Sequence, residues 1–262
     1  MAVLHQHRFG DPDGEPLFAV HGITAHGRRY RRLGEEGWPE RHTVAVDLRG
    51  HGRSLSDGPW SIAQHVSDLE DTLDALGWGQ VDVIGHSYGG PITMELLRRA
   101  PERVRRLVLL DPAFGFDGAA ATESALRTIA DPGFASVEDA TIARNAGLGE
   151  GIHPAVPEEV AEHLVAGVDG RFRWRYHKPA VITGWGEVCY PLPAQAPMAD
   201  VLVVVADRAD FVTAEVEAGL RALFGDALTV VHLDSGHLVY WEAFEATAAA
   251  VRAFLAGQPS VA

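Results

Sequence analysis

The sequence contains a single cysteine, Cys189, among its 262 residues. No disulfide can form within the chain, and nothing in the composition indicates an oxidising compartment. Long apolar runs are also missing, because no stretch approaches the roughly 20 residues that a membrane-spanning helix needs. The first eight residues show no apolar signal-peptide segment. We therefore expect a soluble, cytoplasmic protein with no membrane partner.

Positive charge is scarce, with 22 Lys and Arg residues against 36 Asp and Glu residues and a net charge of −14. Such a surface repels phosphate backbones, so we expect no nucleic acid partner. A basic cluster at residues 28–32 is the exception. It could meet an anionic substrate, but a solvated helix face is the favoured interpretation.

Sequence signals for bound cofactors are weak or absent. Neither Gly-x-Gly-x-x-Gly nor a Walker sequence occurs in the chain, so nucleotide binding has no support. His5 and His7 could place two imidazoles on one face of a strand and bind a metal. A solvent-exposed pair is favoured, since no further ligands cluster in the sequence around them. We expect no metal and no organic cofactor.

Short apolar runs alternate with segments of helical period, which is typical of an α/β protein. Several runs are continuous in Val, Leu and Ile, as expected for a mostly parallel central sheet with helices on both faces. The clearest helix starts near Ser61 and stops at Gly77. A second covers about 242–255. The predicted strands cover 4–9, 16–20, 43–47, 81–84, 104–110, 201–205 and 228–233.

The pattern changes between residues 113 and 196, where strand-like runs largely vanish and Ala- and Glu-rich helical stretches appear. We interpret 113–196 as a helical lid (cap) inserted into a core formed by 1–112 and 197–262. Its aromatic residues are candidates for lining a substrate pocket, although ordinary packing explains them equally well. They are Trp174, Tyr176, Trp185 and Tyr190.

The segment from Gly85 to Gly89 reads Gly-His-Ser-Tyr-Gly and joins a buried strand to a helix. A serine on such a turn stands clear of the sheet, above a helix N-terminus that favours negative charge. Side chains at either glycine would collide with the neighbouring backbone. We predict that Ser87 is a catalytic nucleophile, which requires a base.

His237 is the best candidate for that base, because it follows the last predicted strand at the edge where Ser87 must lie. Two aspartates after the strand 201–205 compete to orient it. Asp207 leaves the strand directly and could pair with Arg208, whereas Asp210 can reach towards the His237 loop. We favour Asp210 and leave Asp207 as the alternative.

An oxyanion hole needs two backbone N–H groups directed at the developing negative charge. We expect them from Tyr88, directly after the serine, and from Ile23, where Gly22 permits a close approach. His21 is a candidate substrate-binding residue, although bracing of the loop is favoured. His86 is expected to pack or hydrogen-bond beneath the turn.

Together these motifs resemble the α/β-hydrolase fold family, in its lid-bearing branch of carboxylesterases, lactonases and carbon–carbon bond hydrolases. The resemblance spans nearly the whole chain and includes the segment 47–54, Asp-Leu-Arg-Gly-His-Gly-Arg-Ser. One departure is Ala206, where the family often has glycine. The resemblance implies a small-molecule ester or lactone substrate and no cofactor.

The leading hypothesis is a serine esterase that works through an acyl-enzyme. A lactonase or a hydrolase of carbon–carbon bonds next to ketones would share the triad and differ in the lid pocket. A ligand-binding receptor on a hydrolase scaffold is disfavoured by the intact Ser, Asp and His set. The sequence leaves the natural substrate and the oligomeric state open.

Overall fold

A computed structural model describes residues 1–257. The last residues of the predicted core, 258–262, lie outside the described part. The strands of the main sheet are β1 (Gln6–Gly10), β2 (Glu15–Val20), β3 (Arg41–Val46), β4 (Val81–His86), β5 (Val104–Leu110), β8 (Asp200–Ala206) and β9 (Leu228–Leu233). These seven strands have the order β1-β3-β2-β4-β5-β8-β9, and all pairs are parallel except β1 with β3.

Helices cover both faces of this sheet, which confirms the predicted fold class. Alternate residues of the second strand show the division. Phe18 belongs to the buried cluster that includes residues of the helices at 62–76, 89–99 and 214–224, while Leu17 belongs to the cluster that includes residues of the helix at 244–255. No helix among residues 1–257 is both long and apolar enough to cross a membrane. The helices are α1 (Ile62–Leu76), α2 (Gly89–Arg99), α3 (Gly118–Ala130), α4 (Val137–Asn145), α5 (Val156–His163), α6 (Lys178–Glu187), α7 (Ala214–Phe224), α8 (Val239–Glu242) and α9 (Phe244–Leu255).

Local capping explains where the clearest predicted helix begins and ends. The Ser61 side chain accepts a hydrogen bond from the Gln64 N–H at the start of α1. Gly77 ends the helix in the left-handed conformation, with φ of 68°. Both boundaries agree with the sequence prediction.

Residues 113–196, called the lid segment below, connect β5 to β8 and contain the helices α3 to α6. They also contain a short antiparallel pair, β6 (Leu164–Ala166) and β7 (Phe172–Trp174), which the sequence pattern did not predict. Three-residue strands are too short for a visible alternation of side chains. The division of the chain into core and lid stays a prediction.

The basic cluster at 28–32 pairs with the lid segment, and the expected solvated face holds only in part. Arg29 is buried, whereas Arg28, Arg31 and Arg32 stay partly exposed. Arg28 and Arg31 hold Glu158 of α5, with N–O distances of 3.2 and 2.5 Å. Arg29 is buried and donates from Nε and Nη2 to Glu159 Oε1, at 3.0 and 2.5 Å. The cluster is thus largely neutralised by lid carboxylates.

His5 and His7 lie beside the buried Asp47, with the possible ligand atoms within 4.8 Å of one another. The Asp47 carboxylate already accepts hydrogen bonds from His7 Nε2 at 3.0 Å and from the N–H groups of Gly27 and Arg53 at 2.8 Å. These donors give the carboxylate a structural role, and the histidines are half-buried rather than exposed.

Candidate active site

Ser87 occupies a strained turn between β4 and α2, with φ of 54°. A Cβ on Gly85 would lie 2.4 Å from the Gly89 carbonyl oxygen. A Cβ on Gly89 would lie 2.3 Å from the Val20 carbonyl oxygen. Glycine is therefore required at both positions, for the steric reason that the sequence suggested.

His237 lies between β9 and α8, and its Nδ1 is 2.6 Å from Oδ2 of Asp111. Asp111 is fully buried and directly follows β5, in a left-handed conformation with φ of 41°. Its Oδ1 accepts a hydrogen bond from the N–H of Ala206 at 3.2 Å. One oxygen of the Asp111 carboxylate is thus held by β8, and the other lies against the imidazole.

Asp210, the favoured partner in the sequence analysis, does not make this contact. It is exposed, whereas the carboxylate at His237 belongs to Asp111. Asp207 is also exposed and pairs with His232 Nδ1 at 2.7 Å. In the structure the carboxylate at His237 is thus Asp111, directly after β5, and neither aspartate of the loop after β8 occupies that position.

The sequence did contain a signal for Asp111. Leu110-Asp111-Pro112 follows a predicted strand, and parallel strands end at the same edge of a sheet. Asp111 therefore follows a strand at the same edge as Asp207 and Asp210, but the prediction compared only the latter two.

A cavity of about 320 Å³ lies above Ser87 and His237. The ring of Phe211 stacks on His237, with centroids 3.8 Å apart. Two of the four predicted lid aromatics, Trp174 and Trp185, line this cavity. Arg29 of the basic cluster also lines it. The wall is completed by residues that the sequence did not indicate, among them Arg144, Leu148 and Leu238.

The other predicted binding residues lie elsewhere. His21 is buried and braces the loop, because its Nδ1 donates to the Gly22 carbonyl at 2.7 Å and its Nε2 accepts from the Leu48 N–H at 2.9 Å. Tyr176 borders a different cavity next to His51. Tyr190 is 64% exposed. None of these three residues lines the cavity at Ser87.

The proposed oxyanion donors lie close to the serine. Ile23 borders the cavity, and a Cβ added to Gly22 would be only 3.0 Å from Ser87 Cβ and 3.4 Å from Oγ. Tyr88 follows Ser87 at the start of α2. No acceptor among residues 1–257 takes a hydrogen bond from the backbone N–H of Ile23 or Tyr88. Both groups therefore have unused donor capacity.

His86 supports the His237 loop from beneath the serine turn, as expected. Burial lowers the pKa of His86 well below its usual value, so the ring is neutral. Its Nε2–H donates to the His237 carbonyl at 2.9 Å, which leaves Nδ1 free to accept from the Tyr240 hydroxyl at 3.4 Å.

The Asp111–His237 pair is largely removed from water, which disfavours charge on either group. Burial raises the pKa of Asp111 to about 7 and lowers the pKa of His237 to about 3. Because a hydrogen bond joins the two groups, they gain or lose one added proton as a unit. The form without an added proton has a neutral imidazole that can accept one.

A strand-to-helix serine, a histidine and a buried carboxylate at one edge of a parallel sheet define a hydrolase-like site. A model of the alpha/beta hydrolase family matches residues 17–250. The chain belongs to this family.

Individual relatives agree with this assignment. The chain is 36% identical to "Lipase LipV" of Mycobacterium tuberculosis, over 90% of this chain and 91% of that protein. It is 30% identical to a "2-hydroxymuconate semialdehyde hydrolase" of Pseudomonas sp., over 71% and 75%. Among solved structures, "E-2-(Acetamidomethylene)succinate Hydrolase" gives a TM-score of 0.81 at 23% identity, over 97% and 95% of the chains. At that identity the structural likeness shows the fold alone.

Proposed function

We propose that the protein hydrolyses carboxylic esters of small molecules through an acyl-enzyme on Ser87. The observation that carries this proposal is the contact of the buried Asp111 with His237, which lines the same cavity as the strained serine. The name of the Mycobacterium tuberculosis relative, a lipase, supports the choice of ester bonds.

In the proposed reaction, His237 Nε2 takes the proton of Ser87 Oγ while that oxygen attacks the ester carbonyl. Asp111 holds Nδ1–H and stabilises the imidazolium. The N–H groups of Ile23 and Tyr88 bind the oxyanion. His237 then protonates the leaving alcohol, and afterwards it activates the water that releases the acid.

A screen of p-nitrophenyl esters, lactones and β-diketones tests the proposal, with S87A as the blank. We expect the wild type to release p-nitrophenol from the acetyl ester well above the blank. If no ester or lactone is turned over above the S87A rate, the proposed function is wrong.

The pH dependence of ester hydrolysis should report the Asp111–His237 pair. Only the pair without its added proton has a base for Ser87, and burial raises the pKa of Asp111 to about 7. We therefore expect kcat/KM to be low in acid and to rise as the pH increases through about 7. A kcat/KM profile that is flat between pH 5.5 and 8.5, roughly the range in which histidine changes charge, would contradict this.

Cleavage of a carbon–carbon bond next to a ketone is the second candidate. The Pseudomonas relative named as a semialdehyde hydrolase supports it. The same serine and histidine could serve both reactions, so the β-diketones in the screen separate them. Turnover of β-diketones without turnover of esters would favour this alternative.

A further inference from the structure

We infer that Arg144 forms a subsite for a carboxylate group of the substrate, in the cavity that holds Ser87. This inference rests on the proposed function, because it describes which esters the cavity accepts. It concerns a residue of the lid segment, in helix α4.

The Arg144 guanidinium is buried without a hydrogen-bonding partner for Nε among the described residues. Its side chain is 12% exposed, and its guanidinium carbon lies 4.1 Å from the centre of the Trp174 ring. Both residues line the cavity at Ser87. A guanidinium has five N–H donors in a fixed plane, and a carboxylate can accept two of them in parallel. The site is thus ordered before a ligand arrives.

The charges around Arg144 leave one positive charge in excess. Its Nε is 3.6 Å from Glu159 Oε1, beyond hydrogen-bond distance. That oxygen already accepts two bonds from Arg29, and the other carboxylate oxygen pairs with His26 Nε2 at 2.7 Å. One carboxylate therefore faces two arginines. A buried charge without a full partner is costly, and an anionic ligand would remove that cost.

The excess charge is local, because the whole chain carries a net charge of −14. The field of the protein surface would disfavour an anionic substrate. Arg29, the other arginine of the cavity wall, is occupied by Glu159. Arg144 is therefore the residue that would select a carboxylate, and the ester would lie between it and Ser87.

Matched pairs of methyl esters test the subsite. Monomethyl succinate, glutarate and adipate are compared with methyl butyrate, pentanoate and hexanoate, which carry a methyl group in place of the distal carboxylate. Acid release in a pH-stat at pH 8 gives kcat/KM for each ester. We expect the acidic ester to be preferred by about tenfold or more for at least one length, with the R144Q variant lowering that ratio by about 30-fold.

Three variants control the measurement. R144K keeps the positive charge but loses the planar guanidinium with its paired N–H donors, and it should retain part of the preference for acidic esters. R127Q makes the same charge change at an exposed position of α3 and should leave the ratio unchanged. The far-UV circular dichroism spectrum and the urea midpoint of R144Q, compared with those of wild type, show whether the fold is intact.

The inference is wrong if neutral esters are preferred at every length, or if R144Q keeps the preference for acidic esters. If the wild type hydrolyses no ester at all, the proposed function fails instead. Calorimetric titration of S87A with adipate and with adipamide then decides on the subsite. Selective adipate binding that is lost in S87A/R144Q supports it, and equal or absent binding of the two contradicts it.

Discussion

Replacing Asp111 with asparagine is expected to lower kcat for ester hydrolysis by about 10³- to 10⁴-fold. Asp111 is the carboxylate at 2.6 Å from His237 Nδ1, and its other oxygen is held by the N–H of Ala206. An amide can present its NH₂ group to Nδ1, which stabilises the tautomer with the proton on Nε2. That tautomer cannot take the proton from Ser87. Steady-state kinetics with p-nitrophenyl acetate measures the loss.

Two matched variants separate Asp111 from the aspartates of the loop after β8. D210N changes an exposed carboxylate, and D207N changes one that pairs with His232. We expect both to keep kcat within about threefold of wild type, since surface substitutions have small effects. A large loss in D210N with little loss in D111N would restore the original assignment.

The pH profile gives a second measure of the role of Asp111. In D111N, the only titrating group of the pair is His237, whose pKa burial lowers to about 3. The residual activity should therefore no longer fall as the pH decreases from 8 to 6, roughly the range that spans the usual histidine pKa. If D111N lost activity only because its structure was disturbed, kcat would be lower, but the activity would still fall as the pH decreases from 8 to 6.

Ser87 and His237 could be placed from the sequence because local chain geometry determines their surroundings. Gly85 and Gly89 have no room for a side chain, so the two glycines in the sequence indicate the turn. His237 follows a strand whose end lies at the same sheet edge. The sheet with helices on both faces likewise follows from periodicity over long segments.

The acid and the subsite could not be placed in that way, because tertiary contacts select them. Asp111, Asp207 and Asp210 all follow strands at one edge, and only the bond from Ala206 and the position of His237 distinguish them. Arg144 is one of several arginines in the lid segment. Its burial against Trp174 depends on how the lid packs, which leaves no local pattern in the sequence.

Removing the charge of Glu159 should destabilise the protein strongly. In E159Q, the buried Arg29 and Arg144 both lose the carboxylate that faces them. Leaving a buried charge without its partner costs about 3 to 5 kcal/mol. We expect a reduction of that size in the free energy of unfolding, measured by urea denaturation with circular dichroism.

E158Q is the matched control, since it makes the same substitution one residue earlier in α5. Glu158 is 36% exposed and pairs with Arg28 and Arg31 at the surface, where water screens the charges. Its loss should cost about 1 kcal/mol or less. Similar losses in the two variants would mean that the buried cluster contributes no more than a surface ion pair. A large difference would identify Glu159 as the residue that holds the lid segment, and with it Arg144, against the core.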